Sequence, residues 1–299
     1  MRCKTFPLPL LVFIALAFLL QIRLHAGEWH YKETSVCSDC HTQHNSQGGQ
    51  PMRYDGAAGA SPTPSLLRNA SALSLCVYCH DGSNPAAPDV IAPVAYEAAG
   101  GFFSNTGGVA TNRSHNLGMA APILPPGGSI PFALTCVTCH DPHGNSNYRN
   151  LWFRTGGGGN TQDVSVVVDQ AVTANGSNPG QVYIPSNLFY KSGMSQWCND
   201  CHTNFHGKTT SEEGLASPWF RHPQDQALFG AADADYAYWS GTVADRVPVR
   251  TPTDNVVPSG DDQVFCLSCH KAHGAANRAG TIFADGSTLT STCQQCHNE

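Results

Sequence analysis

Apolar positions crowd the start of the chain and thin out after it. The run "LPLLVFIALAFLL" ends at Leu20, follows Arg2 and Lys4, and gives way to the mixed stretch "QIRLHAGEWH". It is shorter than the roughly 20 apolar residues that a bilayer span takes. A basic start, a short apolar stretch and the small residue Ala26 before Gly27 together predict a secretory signal peptide over 1–26. An uncleaved anchor is the alternative. Without an Arg-Arg pair before the run, the general export route is favoured over the twin-arginine route. Cys3 precedes the run, so it is not a lipid-bearing cysteine placed just after it. The mature chain, 27–299, reads as a single domain.

Beyond the leader, periodic segments are few. "SLLRNASALSLCVYCH" (Ser65–His80) is the best helix candidate, and "DVSVVVD" (Asp163–Asp169) alternates well enough for one short strand. "GAAGASPTP" (Gly56–Pro64), "PILPPGGSIP" (Pro122–Pro131) and "TGGGGN" (Thr155–Asn160) read as loops. The predicted fold is mostly irregular, with a few short helices and very few strands.

Composition sharpens this. Charged residues are 13%, about half the usual share of roughly 25%, while Gly and Pro number 29 and 20. Three of the 16 basic residues (Arg2, Lys4, Arg23) leave with the signal, and all 22 acidic residues stay. An acidic exported chain is a poor partner for nucleic acid. So irregular a polypeptide needs buried apolar mass from somewhere else.

The cysteines point to the source. Of the 13, Cys3 leaves with the signal, and the rest form six C-x-x-C-H motifs. These are Cys37, Cys40 and His41; Cys76, Cys79 and His80; Cys136, Cys139 and His140; Cys198, Cys201 and His202; Cys266, Cys269 and His270; and Cys293, Cys296 and His297. C-x-x-C-H is the signature of c-type haem attachment. Two thiols form thioethers to the porphyrin, and the adjoining histidine reaches the iron from one face. A disulfide framework has no use for a histidine after each second cysteine, and zinc ribbons do not require six of them. Six c-type haems on so short a chain leave too few residues for a domain around each. The expected core is therefore the packed haems themselves. Trp29, Trp152, Trp197, Trp219 and Trp239 are read as covers for porphyrin faces rather than electron relays.

His44 follows His41 by three residues, which puts both on one side of a helical turn. The two axial positions of one iron lie on opposite faces of the ring, so His44 would serve a different haem. His143 and His273 repeat this spacing, and His206 sits one residue further from its motif. His115, His222 and His30 complete the non-proximal set in the mature chain. Seven candidates thus face six distal positions. The expected distal ligands are His44, His115, His143, His206, His222 and His273, with His30 as the spare. After Met1 only Met52, Met119 and Met194 compete. Two imidazoles on each iron leave no open coordination position and give a lower potential than His/Met ligation. Electron transfer without catalysis is the expectation. No C-x-x-C-K site stands here to point to a multihaem reductase.

The ordered motifs "CSDCHTQHNS", "CVYCH", "SHNLG", "LTCVTCHDPHG", "GMSQWCNDCHTNFH", "RHP", "CLSCHKAH" and the closing "CQQCHNE" resemble those of the OmcS-type extracellular hexahaem cytochromes that polymerise into conductive filaments. The chain is shorter than that family, mainly before Cys136 and after His206. The resemblance implies a loop-rich fold with six bis-histidine haems in alternating stacked and perpendicular contacts. It implies protomers joined end to end, with His44 crossing to ligate a neighbour's fifth haem, here held by His270. It also implies an extracellular or outer-surface location and electron exchange with other cytochromes or extracellular acceptors. No membrane span is expected after cleavage. A discrete periplasmic or cell-surface electron carrier is the competing reading.

Overall fold

The structure is a computed structural model that describes residues 30, 35–42, 46–47, 50–55, 64–85, 87–91, 100–104, 111–119, 130–170, 188–203, 224–227, 247–256 and 259–282. The leader, His44, His206, His222, Trp29, Trp219, Trp239 and the sixth motif (Cys293, Cys296, His297) lie outside these residues.

Regular structure is sparse, as the sequence predicts. Among the described residues, short helices span Cys37–Cys40 (α1), Ala72–His80 (α2), Cys136–Cys139 (α3), Met194–Cys198 (α4) and Cys266–Cys269 (α5). The described strands pair as antiparallel couples: Ser46–Gln47 (β1) with Gln50–Pro51 (β2), Val167–Gln170 (β3) with Leu188–Ser192 (β4), and Gln226–Ala227 (β5) with Gln263–Val264 (β6). Among the described residues no helix is long and apolar enough to cross a membrane.

Single-turn helices are not stable alone, because nucleation fixes several residues for one hydrogen bond. Here each is closed locally. In α1 the Asp39 carboxylate accepts from Val36 N at 2.8 Å. In α3 and α5 the hydroxyls of Thr138 and Ser268 accept from Thr135 N and Phe265 N, at 3.0 and 3.1 Å. The residue before the second cysteine thus reaches back to the start of its own turn.

Two sequence expectations shift at their edges. The helix expected from Ser65 begins only at Ala72, capped by Ser71, whose hydroxyl accepts from Ser74 N at 3.1 Å. Ser65 and Leu66 are left-handed, at φ 63° and 55°, which ends any helix there. The strand expected over Asp163–Asp169 starts at Val167. Before it, Val164 N donates to Phe153 O and Val166 N to the Asn147 side chain, so these residues spend their donors outside a ladder.

Two small apolar clusters sit between the motifs. One gathers Leu151, Val166, Leu188, Tyr190, Met194 and Phe265; the other gathers Phe103, Leu117, Ile130 and Leu134. Motif cysteines pack directly on them, Cys198 on the first and Cys136 and Cys201 on the second. Trp152 and Trp197 are half-buried, and their indole N–H groups donate to Val137 O at 2.8 Å and Trp152 O at 2.7 Å. A buried indole needs such a partner.

Candidate haem-binding sites

Each cysteine pair is spaced by three, so one helical turn brings both thiols to the same side. The following histidine then leaves the helix at three of the motifs. His41, His140 and His270 are extended, with φ of −119°, −111° and −117°. Each amide still donates to the first cysteine's carbonyl: Cys37, Cys136 and Cys266.

These three motifs share a clasp. A short 3₁₀ turn (Pro64–Leu66, Tyr148–Asn150 or Arg278–Gly280) carries a left-handed residue at its centre. Its carbonyl accepts from the histidine Nδ1: Ser65 O to His41 at 2.8 Å, Arg149 O to His140 at 2.9 Å, and Ala279 O to His270 at 2.9 Å. Isolated bridges then pair His41 with Leu67, His140 with Leu151 and His270 with Thr281. Left-handed backbone at a non-glycine residue costs about 1 kcal/mol. Here it aims a carbonyl at a ligand ring.

The clasp is legible in sequence once known. "CVTCHDPHGNSNYRNLW" (136–152) and "CLSCHKAHGAANRAGTI" (266–282) align without a gap. Gly144 and Gly274 both have positive φ, and Asn147 and Asn277 both precede the 3₁₀ turn. The first motif carries the same clasp after a longer excursion that contains His44.

Among the described residues, four pairs of histidine rings face one another. His41 lies 6.0 Å from His143, His80 6.2 Å from His30, His140 6.1 Å from His273, and His202 6.0 Å from His115, measured between ring centres. Each pair joins a motif histidine to a non-motif one. Metal–imidazole nitrogen bonds are about 2 Å long, so an iron midway between two rings holds their centres roughly 6 Å apart. The residues present therefore fit haem iron with two axial imidazoles.

Tautomers are set for the task. Nδ1 of His80 bonds Pro88 O at 3.0 Å, that of His115 bonds Ala272 O at 2.6 Å, and that of His273 bonds Gly101 O at 3.2 Å. An Nδ1–H held by a carbonyl leaves Nε2 as the lone-pair donor. Burial lowers the pKa of His80, His115 and His140, and takes His273 down to about 3, which keeps these rings neutral and able to ligate. Burial likewise pushes the Cys139 thiol up to about 12.

His30, the expected spare, stands against His80, where a distal ligand would be. Its isolated place before the first motif gave no signal of this. Motifs adjacent in sequence are also adjacent in space. Cys40 neighbours Cys76 and Cys79, Cys76 neighbours Cys136, Cys139 neighbours Cys201, and Cys198 neighbours Cys266. Helices α2 and α3 pack together, as do α4 and α5.

Residues 256–299, which hold the fifth and sixth motifs, match the doubled CXXCH motif family. The chain is 27% identical to the C-type cytochrome OmcS of Geobacter sulfurreducens, over 90% of this chain and 83% of that protein. In sequence it resembles an OmcS-type c-type cytochrome. The fold agrees. A solved outer membrane cytochrome S filament from Geobacter sulfurreducens superposes with a TM-score of 0.55, at 23% identity and 92% coverage of each chain. A mostly irregular polypeptide whose short turns present C-x-x-C-H motifs is thus an OmcS-like architecture.

Proposed function

We propose that the chain carries six c-type haems and passes electrons along them as a subunit of an extracellular filament. The observation that carries this reading is the set of four facing imidazole pairs at about 6 Å, which leaves those irons no open position. Haem iron held by two imidazoles exchanges single electrons and binds no substrate. The chain's residues fix ring orientation through carbonyl clasps, keep ligand histidines neutral, and hold consecutive attachment helices in contact.

The ligand pairing follows two rules. Among the odd motifs, the second histidine of C-x-x-C-H-x-x-H faces the odd motif before it: His143 of the third motif faces His41, and His273 of the fifth faces His140. His270 would then take the second histidine of the next odd motif. No such motif follows the fifth in residues 271–299. In a second copy it is His44, at the same spacing in the first motif. Among the even motifs, a histidine lying before an odd motif faces the even motif that follows: His30 faces His80 and His115 faces His202. By the same rule His222 serves His297. This assigns the distal set as His30, His44, His115, His143, His222 and His273, and leaves His206 as the spare in place of His30.

The junction between copies would repeat the module-to-module contact found inside each chain. That supports end-to-end growth, since a head-to-tail contact that does not close on itself yields a filament. Export through the 1–26 leader supports a place outside the cell. Electrons would enter from partner cytochromes and leave to extracellular acceptors.

Electron paramagnetic resonance with intact mass measurement on the secreted protein tests the reading. The expected result is six haem masses per chain beginning at Gly27, with all irons low-spin in assembled material, which negative-stain microscopy shows as filaments. Fewer haems in matured protein, or a high-spin iron in intact filaments, overturns it.

A further inference from the structure

Asp200 lies inside the fourth motif, between Cys198 and Cys201, and is 1% exposed. A buried carboxylate needs compensation. Asp200 obtains it from the glycine-rich loop 155–160. Its Oδ2 accepts from Thr155 N at 2.6 Å, Thr155 Oγ1 at 2.8 Å and Gly156 N at 3.1 Å. Its Oδ1 accepts from Gly158 N at 3.2 Å and Asn160 N at 3.0 Å. Among the described residues no lysine or arginine forms an ion pair with it. All five contacts are donated to it, which is the pattern of a carboxylate and not of a neutral acid.

The charge is not needed to close the helix. At the same position in the first, third and fifth motifs, Asp39, Thr138 and Ser268 cap their own turn, and a hydroxyl suffices in two of them. Asp200 instead turns to a separate loop. That loop lies against the attachment peptide. Thr155 Oγ1 is 3.4 Å from Cys201 Sγ, and a Cβ on Gly157 would stand 2.6 Å from the same sulfur. A Cβ on Gly159 would run into Asn199 O, so only glycine allows this approach.

We propose that Asp200 is a fixed buried anion that lowers the reduction potential of the haem held by Cys198, Cys201 and His202, making that haem a low step in the conduit. One-electron reduction takes Fe(III) to Fe(II) and removes one positive charge from the site. A neighbouring anion stabilises the ferric form, and amide dipoles orient around the charge without cancelling it. The fixed negative charge therefore disfavours electron uptake at this haem relative to the same site with a neutral side chain. The inference rests on the fourth motif carrying a haem, which the intact mass checks separately.

Spectroelectrochemical titration of the purified holoprotein tests it, with electron paramagnetic resonance on the same samples. In Asp200→Asn one of the haem steps should shift to higher potential while six haem masses and the low-spin signal remain. Thr155→Val removes one donor and keeps the charge, so the same step should shift downward. Asp200→Glu should hold that step near its original potential. A loosened loop alone would move Asp200→Asn and Thr155→Val in the same direction. That outcome, or unchanged potentials in Asp200→Asn, overturns the proposal. Should Asp200→Asn fail to mature, an unmoved or raised step in Thr155→Val overturns it by itself.

Discussion

His143 and His41 belong to different motifs, yet their rings lie 6.0 Å apart and within 17° of parallel. The third motif thereby reaches back to the first. Substituting His143→Ala removes the ring that faces His41 without touching either cysteine pair. One haem per chain should become high-spin while the haem mass count is kept. Electron paramagnetic resonance at neutral pH reads it, and the change should be the same in isolated protomers and in filaments.

His44→Ala separates the joint between copies from the interior. Isolated protomers should carry six haems and spectra like the unsubstituted protomer if, as proposed, the iron His44 serves belongs to a neighbouring copy. Filament yield should fall at least tenfold by microscopy, and any filaments formed should hold one high-spin iron per subunit. Normal filaments with every haem low-spin would place the joint elsewhere.

His30→Ala and His206→Ala distinguish the proposed ligand from the proposed spare. The first should produce one high-spin haem, because His30 faces His80 at 6.2 Å. The second should leave the absorption spectrum unchanged. The reverse outcome would restore His206 to the distal set and return His30 to the role of spare.

Asn147→Ala tests the clasp. Asn147 is buried, its Oδ1 accepts from Val166 N at 2.6 Å, and its Nδ2 donates to Val164 O at 3.1 Å. Truncation leaves both backbone groups without this partner, a loss of about 2–4 kcal/mol. Asn277, its counterpart, is less buried and donates to Thr281 O at 2.8 Å, so Asn277→Ala should cost about 1 kcal/mol. Chemical denaturation of the holoprotein measures both, and equal losses would count against the burial argument.

Gly101→Ala tests the contact that seats His273. Gly101 has φ +80°, and a Cβ there would run into Gly274 O. The carbonyl of Gly101 also accepts from His273 Nδ1. The expected result is a loss of about 2 kcal/mol or more, with disturbance of the haem between His140 and His273. A variant with unchanged stability and spectra would show that the two segments separate without harm.

The attachment chemistry was written in the sequence, because a thioether motif is local. Five residues carry both thiols and a ligand, and one helical turn aligns the cysteines whatever lies around them. The scarcity of regular structure was equally legible from the thin scatter of apolar residues and the abundance of Gly and Pro. The non-motif histidines were legible as a supply of candidate ligands, but not as an assignment. An axial pair needs two distant segments to close on one point, and no residue in "GEWHY" announces that His30 will meet His80. Nor did "TGGGGN" read as more than a loop until folding wrapped its amides around Asp200. Spacing along the chain set what each segment could bind, while packing between segments decided which ring faces which and which loop amides surround the Asp200 carboxylate.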